Sequence, residues 1–274
     1  MSIVDNKTLD PNLVVGVNED LQPTKSRIIG SLSYTASFLG GCVSIGTFSM
    51  GSALIGTLTI AQAILAMTIG CLVIAIALVL IGNAGHKYGM PYVVQLRSSF
   101  GTTGVKIPGV LRGLPAIVWF GFQSWVGAGA INSCFKILWG FDNLPVVFGL
   151  FTLLQVGLAI KGFHGIKWLE NFSCVFIVAI LAYMLYVVKT KFAVDISASF
   201  ANVKGTWGMP FWAATTSFLG IYSTMIINAS DYSRNLKEDI RPVKTGSIYT
   251  IAILPVTLFM GLIGLLVTAA TGNS

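Results

Sequence analysis

A tryptophan and a glutamine one helical turn apart are the residues of this chain best suited to binding chemistry. Trp119 and Gln123 lie four positions apart in an apolar segment, so on an α-helix they share a face. An indole offers a flat stacking surface, and a primary amide offers an acceptor and two donors that complement the lactam edge of a planar ring. The pair suits a nucleobase or a hydantoin. The same side chains could instead fill a helix bundle and bond a neighbouring helix, and spacing alone leaves both interpretations open.

A second aromatic residue could complete such a site. Tyr222 follows Gly220 in a later apolar segment that is rich in small and polar residues. It could provide the opposite stacking face, or it could be an ordinary packing aromatic. The residue types themselves favour neither interpretation.

Metal and nucleophile chemistry find little support in the sequence. His86 and His164 lie in basic loops and are interpreted as solvated, without a second ligand nearby. The four cysteines fall inside apolar stretches without metal-ligand spacing and are interpreted as small buried hydrophobes; they are Cys42, Cys71, Cys134 and Cys174. The apolar segments contain no nucleophile with a base, so a membrane-embedded enzyme is not expected.

The composition places these residues in a membrane protein. Of the 274 residues, 54% are hydrophobic and 10% charged, with a mean hydropathy of +0.80, and a soluble surface needs about 25% charge. The net charge of +7 would suit nucleic acid only if the cations formed one basic face. They lie in loops instead, so a lipid bilayer rather than nucleic acid is the expected partner.

Seven segments are long and apolar enough to span a bilayer, and the N-terminal tail over 1–27 is too polar for a signal peptide. The expected spans are 28–55, 59–82, 107–135, 144–161, 170–188, 207–230 and 246–270. The side of the N-terminus carries 13 Lys and Arg, and the opposite side carries Lys136, Lys189, Lys191 and Lys204. The positive-inside rule therefore predicts a plasma-membrane protein with a cytoplasmic N-terminus.

The first and sixth spans differ from the second, whose aliphatic sequence is typical of a lipid-facing helix. Both are interrupted by Gly, Ser and Thr, and span 6 also by Pro210. Such residues can simply permit close packing, but paired interruptions at matching positions of a five-helix repeat point to a transporter's central site. No ionisable residue lies mid-span, and Glu170 and Asp231 lie at cytoplasmic ends where solvation is expected. Backbone carbonyls and hydroxyls are then the expected ligands of any carried cation.

Motifs spread over the whole chain carry a family resemblance. They are Asn18-Glu19-Asp20-Leu21 with Pro23-Thr24, the loop Gly85-His86-Lys87-Tyr88-Gly89-Met90-Pro91 continuing to Arg97, Phe100, Gly101 and Gly104, then Trp119-Phe120-Gly121-Phe122-Gln123, Asn143-Leu144-Pro145 and Asn228-Ala229-Ser230-Asp231-Tyr232-Ser233-Arg234. Because these motifs occur in this order, the chain resembles the nucleobase:cation symporter-1 family. Among the members of that family it resembles the bacterial hydantoin transporter.

The resemblance implies an all-α integral membrane protein with the LeuT-type inverted-repeat fold and alternating access. It implies a planar heterocyclic substrate held by Trp119, Gln123, Tyr222, Ser44 and Ile221. The carbonyls of Gly40 and Val43 near the span 1 break would bind a co-transported Na⁺ or H⁺, and no other cofactor is expected. Two positions depart from the hydantoin transporter, since Tyr222 replaces a tryptophan and Ser44 replaces a longer amide.

The resemblance also predicts that part of the fold lies outside this chain. The family has about twelve spans, whereas seven are found here, with a first repeat over 28–188, an external loop over 189–206 and the start of a second repeat over 207–274. The eighth span would supply further cation ligands, so transport by the 274-residue form alone is not expected.

A heterocycle-binding membrane protein without flux is the alternative function. A channel is disfavoured because no filter motif is found. The sequence leaves open the choice among hydantoins, allantoin, uracil, cytosine and purines, the choice of cation, and the oligomeric state.

Overall fold

The computed structural model describes residues 21–24, 27, 29–160, 163–237, 240 and 242–272, and for 163–175, 178 and 242–244 it describes the backbone alone. Within these ranges the chain is helical. The helices are α1 (Ser31–Cys42), α2 (Ile45–Ser52), α3 (Ile60–Tyr88), α4 (Tyr92–Gly104), α5 (Lys106–Trp139), α6 (Leu144–Ile160), α7 (Phe163–Lys191), α8 (Ala193–Ala201), α9 (Met209–Ile227), α10 (Ala229–Ser233) and α11 (Pro242–Thr271).

Every expected span has a helical counterpart, but two expected loops are partly helical. The cytoplasmic loop expected around 83–112 contains α4, which is kinked at Gly101, where φ is +70°. The external loop expected over 189–206 contains α8. Both helices are shorter than a bilayer crossing requires, so a search for long apolar runs does not detect them.

Among the described residues, three helices are long and apolar enough to cross a membrane: Ile60–Tyr88, Lys106–Trp139 and Thr245–Thr271. These are the second, third and seventh expected spans. Leu144–Ile160 is a shorter apolar helix. Span 1 is divided between α1 and α2, and span 6 carries many small polar residues, so the remaining four spans stay predictions as bilayer crossings.

The second span buries one face against other helices, which its interpretation as a lipid-facing helix did not anticipate. α3 packs against α9, α10 and α11, and Met67, Ile74 and Leu78 on it are fully buried. Ile76 and Leu80 on its other face are 61% and 71% exposed, so this helix, apolar on all sides, packs on protein along one side only. The Thr59–Gln62 capping box starts α3, and Gly89, with φ of +69°, ends it.

Close approach of two helices positions the first break. A Cβ on Gly264 of α11 would collide with the backbone oxygen of Phe48 on α2, and one on Gly51 would collide with the backbone of Gly261. Only glycine allows the backbones to approach so closely. The contact fixes α2 against α11, and therefore fixes where the α1–α2 junction lies.

A small layer of contacts joins the residues before α1, the end of α3 and the segment after α10. Ile29 forms a parallel bridge with Leu236, and His86 is buried with a ring nitrogen 3.0 Å from the carbonyl oxygen of Lys237. The expectation that His86 is a solvated loop residue is therefore wrong, because α3 continues past it and the segment after α10 covers it. The side chain of His164 lies outside the described residues.

The cysteines follow the sequence prediction only in part. Cys42 and Cys71 are buried, whereas Cys134 is exposed on the outer surface of α5. Apolar flanking sequence does not distinguish an inward from an outward helix face, which is why the prediction is wrong for Cys134. The side chain of Cys174 is not among those described.

A candidate heterocycle site at the α1–α2 break

The predicted interruption of span 1 is a two-residue gap between α1 and α2. Val43 has ψ of 99°, and Ser44 is extended with φ of −134° and ψ of 134°. The Ser44 hydroxyl accepts a hydrogen bond from the backbone N–H of Gly46 at 3.1 Å. Ser44 thereby caps α2, and its side chain is held at the centre of the fold.

The expected pair on span 3 faces this gap. The amide nitrogen of Gln123 lies 3.4 Å from the Ser44 hydroxyl, to which it donates. Trp119 lies one turn earlier on the same face of α5 and remains 41% exposed, so part of the indole surface is free to contact a ligand. The structure brings together two residues that sequence spacing alone could not connect, Gln123 and Ser44.

The Trp119 ring lies close to the start of α2. A Cβ on Gly46 would stand 3.0 Å from Trp119 Cη2 and 3.3 Å from Ile221 Cδ1, tighter than an ordinary van der Waals contact. Gly46 therefore leaves the space that the indole occupies. Ile221 reaches the same point from α9, which places it beside Trp119.

Tyr222 approaches the break from the opposite side. It is 3% exposed, and its hydroxyl donates to the carbonyl of Cys42 at 3.2 Å and lies 3.2 Å from the Thr257 hydroxyl on α11. The hydrogen bonds of its phenol oxygen are therefore made within the protein, while its ring contributes to the wall of the site. Thr257 was not anticipated, because nothing in the pattern of span 7 distinguishes it from other small polar residues.

The interruption of span 6 lies at the end of its long helix. α9 runs without a break past Gly220 and Tyr222 to Ile227, and Asn228, with φ of −103° and ψ of 26°, separates it from α10. A glycine can remain helical when tertiary packing supports the helix, at a cost of about 1 kcal/mol. The sequence predicted an interruption in span 6 without placing it, and the structure puts it at Asn228.

These elements enclose a cavity of about 340 Å³, within the usual size range of small-molecule sites. Six of the seven residues expected at the site line it: Val43, Ser44, Trp119, Gln123, Ile221 and Tyr222. Its wall is completed by Gly41, Arg112, Ala116, Phe120, Thr224 and Met225. The seventh, Gly40, lies outside the lining, and its carbonyl accepts the backbone N–H of Val43 at 3.2 Å.

Arg112 is one of the wall residues that sequence reasoning missed. It was assigned to a cytoplasmic loop, but α5 begins at Lys106 and carries Arg112 into the cavity lining. The signal was available in the spacing, because Arg112, Ala116, Trp119 and Gln123 recur at intervals of three and four residues and so share a helix face. Arg112 is the charged residue in the described lining.

A carboxylate close to Arg112, that of Asp231, is less solvated than expected. The side chain of Asp231 accepts the backbone N–H of Tyr92 at 3.0 Å and is half-buried. Burial raises the pKa of Asp231, while the Tyr92 N–H and the charges of Arg234 and Arg112 partly oppose that shift. Burial also raises the pKa of Tyr92, and the nearby Asp231 adds to it. Asp231 thus ties α10 to α4 instead of facing open water.

Residues 22–274 match the family of permeases for cytosine/purines, uracil, thiamine and allantoin. The hydantoin permease of Microbacterium maritypicum is 26% identical over 90% of this chain and 53% of its own length. The putative allantoin permease of Escherichia coli is 31% identical over 80% of this chain and 50% of its own. The chain spans about half the length of the curated relatives it matches.

Two structures of the nucleobase-cation-symport-1 transporter Mhp1 have the same fold. The closed conformation with bromovinylhydantoin bound superposes with a TM-score of 0.83 at 25% identity, over 94% of this chain and 59% of Mhp1. The inward-facing conformation gives 0.78 at 26% identity, over 94% and 58%. The protein is therefore all-α with the LeuT-type inverted-repeat fold, and it belongs to the permease family for cytosine/purines, uracil, thiamine and allantoin, the nucleobase:cation symporter-1 family.

Proposed function

We propose that this chain forms the substrate-binding part of a secondary transporter that imports a planar nitrogen heterocycle by cation symport. The observation that carries the proposal is the cavity at the α1–α2 break, where Trp119, Gln123 and Ser44 converge with Tyr222. The substrate class is a nucleobase, allantoin or a hydantoin. The membrane is the plasma membrane, with the N-terminus in the cytoplasm.

Recognition divides between stacking and hydrogen bonding. The part-exposed indole of Trp119 covers one face of the ring, and Tyr222 and Ile221 form the wall from α9. The Gln123 amide presents its carbonyl oxygen to a ring N–H, and its second N–H to a ring carbonyl, while its first N–H stays on Ser44. Because Ser44 is itself held by the α2 cap, the amide is oriented before substrate arrives.

The names of the relatives support this substrate class. Permeases for hydantoin, allantoin, purine and uracil are among the similar proteins, and Mhp1 was solved with bromovinylhydantoin bound. They do not favour one ring over another for this chain. Ser44 and Tyr222 are the positions where its specificity is expected to depart from that of the hydantoin transporter.

The co-transported cation is expected at the same break. The described cavity lining holds no carboxylate, so hard carbonyl and hydroxyl oxygens are the available ligands, which suit Na⁺. Gly40 uses one lone pair for the Val43 N–H and keeps the other for an ion. The carbonyl of Val43 stands at the open end of α1, where the helix dipole also favours a cation.

Alternating access follows from the two broken segments. Binding of cation and substrate together would stabilise a closed arrangement around the α1–α2 and α9–α10 junctions, which is coupling in the thermodynamic sense. Release would then require rocking of one helix bundle against the other. A heterocycle-binding membrane protein without flux is the second candidate, because the chain spans about half the length of its relatives.

The function is tested by uptake of labelled hydantoins, allantoin, uracil and cytosine, with and without Na⁺. Cells would express either the 274-residue chain or a chain extended to the length of the relatives. Cation-dependent uptake by the extended chain alone is the expected result. Binding without flux in both would favour the second candidate, and uptake by the 274-residue chain would overturn the prediction that it cannot transport alone.

Removing the stacking surface tests the site directly. Trp119→Ala should weaken binding of the transported heterocycle about 5- to 150-fold, since stacking of a base on an aromatic side chain contributes roughly 1–3 kcal/mol. Equilibrium binding by the purified protein measures this. Trp139→Ala is the matched control, because Trp139 ends α5 far from the cavity and is 72% exposed. An unchanged affinity in Trp119→Ala would remove Trp119 from the site.

A further inference from the structure

Arg112 lies at the cytoplasmic end of the candidate cavity. The α5 face that lines the cavity runs from Gln123 through Trp119 and Ala116 to Arg112, about 16 Å along the helix axis. A single heterocycle between Trp119 and Tyr222 covers only part of this length. Arg112 therefore bounds the cavity on the side that substrate must pass to reach the cytoplasm.

The guanidinium of Arg112 is bound to the second helix break. Its Nε and Nη2 donate to the same oxygen, Oδ1 of Asn228, at 3.3 and 3.2 Å. Asn228 is the residue between α9 and α10, and its amide nitrogen lies 3.4 Å from the Tyr232 hydroxyl, to which it donates. The Arg112–Asn228 pair thus connects α5 to the junction where α9 ends.

The chemistry of this pair suits a contact that forms and breaks. Arg112 is held by a neutral amide, the side chain of Asn228. Asp231, the nearby carboxylate, is occupied by the Tyr92 N–H. A charge-assisted hydrogen bond to a neutral acceptor is strong enough to hold two helices and avoids the tight binding of a partly buried ion pair.

The similarity to known conformations is consistent with a closed cytoplasmic end. The chain superposes on closed, hydantoin-bound Mhp1 with a higher TM-score than on inward-facing Mhp1, 0.83 against 0.78. The Arg112–Asn228 contact thus occurs in a fold that scores higher against the closed conformation.

We propose that Arg112 is a positioning residue of the transport site. Through Asn228 it holds the α9–α10 junction against α5 and closes the cavity towards the cytoplasm, and separation of the pair opens the cavity to that side. This inference rests on the proposed function for its role in transport, but the closure itself can be measured without transport.

The test uses a reporter cysteine inside the cavity. Thr224→Cys places a thiol on α9 in the cavity wall, and inside-out vesicles containing the 274-residue chain are treated with a membrane-impermeant thiol reagent. Adding Arg112→Gln or Asn228→Ala should raise the labelling rate about tenfold or more, the change expected when one charge-assisted hydrogen bond is lost. The chain without Thr224→Cys gives the background from native cysteines.

A control variant and a variant with the opposite expected effect distinguish loss of a specific closing contact from general loosening of the helix packing. Lys106→Gln removes one positive charge from the exposed start of α5 and should leave labelling unchanged. Asn228→Asp replaces the amide with a carboxylate, which pairs more strongly with Arg112, and should lower the labelling rate. Arg112→Lys keeps the charge without the two-donor edge and should give an intermediate rate.

Two results would overturn the inference. One is a labelling rate in Arg112→Gln equal to that of the parent, and the other is a rate in Asn228→Asp raised as far as in Asn228→Ala. Protection of the Thr224→Cys thiol by allantoin or a 5-substituted hydantoin is measured in the same vesicles. If neither compound protects while the variants still change the rate as expected, the closing contact stands and the proposed function fails in its substrate class.

Discussion

At the scale of single residues, the site depends on where one ring is held. The Trp119 indole and the Ile221 side chain both lie beside Gly46, and Gln123 is oriented by the capped Ser44. Each of these contacts joins residues far apart in sequence. Small changes in volume or hydrogen bonding at these positions should therefore affect ligand binding before they affect folding.

Gly46→Ala should weaken heterocycle binding, by roughly 1 kcal/mol or about fivefold, by displacing part of the stacking surface. Its new methyl group would stand 3.0 Å from Trp119 Cη2, so the indole must shift. Titration of the purified protein with the transported heterocycle measures the change. Gly121→Ala serves as the matched control, because a Cβ there meets nothing within 4 Å; equal losses in both variants would contradict the assigned contact.

Asp231→Asn should remove a pH dependence of stability. Burial raises the pKa of Asp231 above the ordinary 3.8, so the folded chain binds this proton more readily than the unfolded chain. Its contribution to stability therefore falls as pH rises from about the ordinary value through the raised pKa. Melting temperatures across that acidic range should decline more in the parent than in Asp231→Asn. Parallel curves would show that Asp231 does not titrate differently on folding.

At the scale of helices, the break between α1 and α2 is set by packing on α11. The second half of span 1 reaches α11 through two close backbone contacts that require glycine, at Gly51 and at Gly264. The position of Ser44 and Val43 follows from that contact. The break is thus a property of the α2–α11 pair as much as of the residues in the gap.

Gly264→Ala should destabilise the fold by about 1–3 kcal/mol or prevent α2 from docking, since overpacking at a rigid backbone contact cannot be relieved by a rotamer change. Thermal unfolding followed by size-exclusion chromatography measures this. Gly157→Ala on α6 is the control, because a Cβ there meets nothing within 4 Å. A melting temperature equal to that of the control would contradict the close α2–α11 contact.

At the scale of the whole molecule, charge placement predicts how the protein sits in the bilayer. Lys204 and the Lys136–Asp142 ion pair lie on the side expected outside, and the layer around His86 and Asp231 lies on the side expected in the cytoplasm. In that pair, the hydrogen bond from Lys136 lowers the pKa of Asp142, so both groups stay charged at the surface.

The orientation is checked by labelling in a Cys134→Ser background. Lys204→Cys should react with an impermeant thiol reagent in intact cells, whereas Lys106→Cys should react only after the membrane is opened. Both positions are exposed, so accessibility of the folded protein does not limit either reaction. The reverse pattern would overturn the positive-inside assignment.

Local sequence determined much of this protein. Long apolar runs set the helical elements, because a backbone in lipid must satisfy its own hydrogen bonds, and the spacing of Trp119 and Gln123 set their shared face. The Gly- and Ser-rich character of span 1 predicted its break. These features depend on residues within one or two helical turns of each other.

Only the tertiary structure decided how those elements meet. It placed the span 6 interruption at Asn228, brought Arg112 from an expected loop into the cavity, and buried His86 and one face of α3. Each of these outcomes rests on contacts between distant segments, such as Arg112 with Asn228 and Tyr222 with Cys42. Helical periodicity identifies the face of one helix, but which face meets which partner depends on packing against the others.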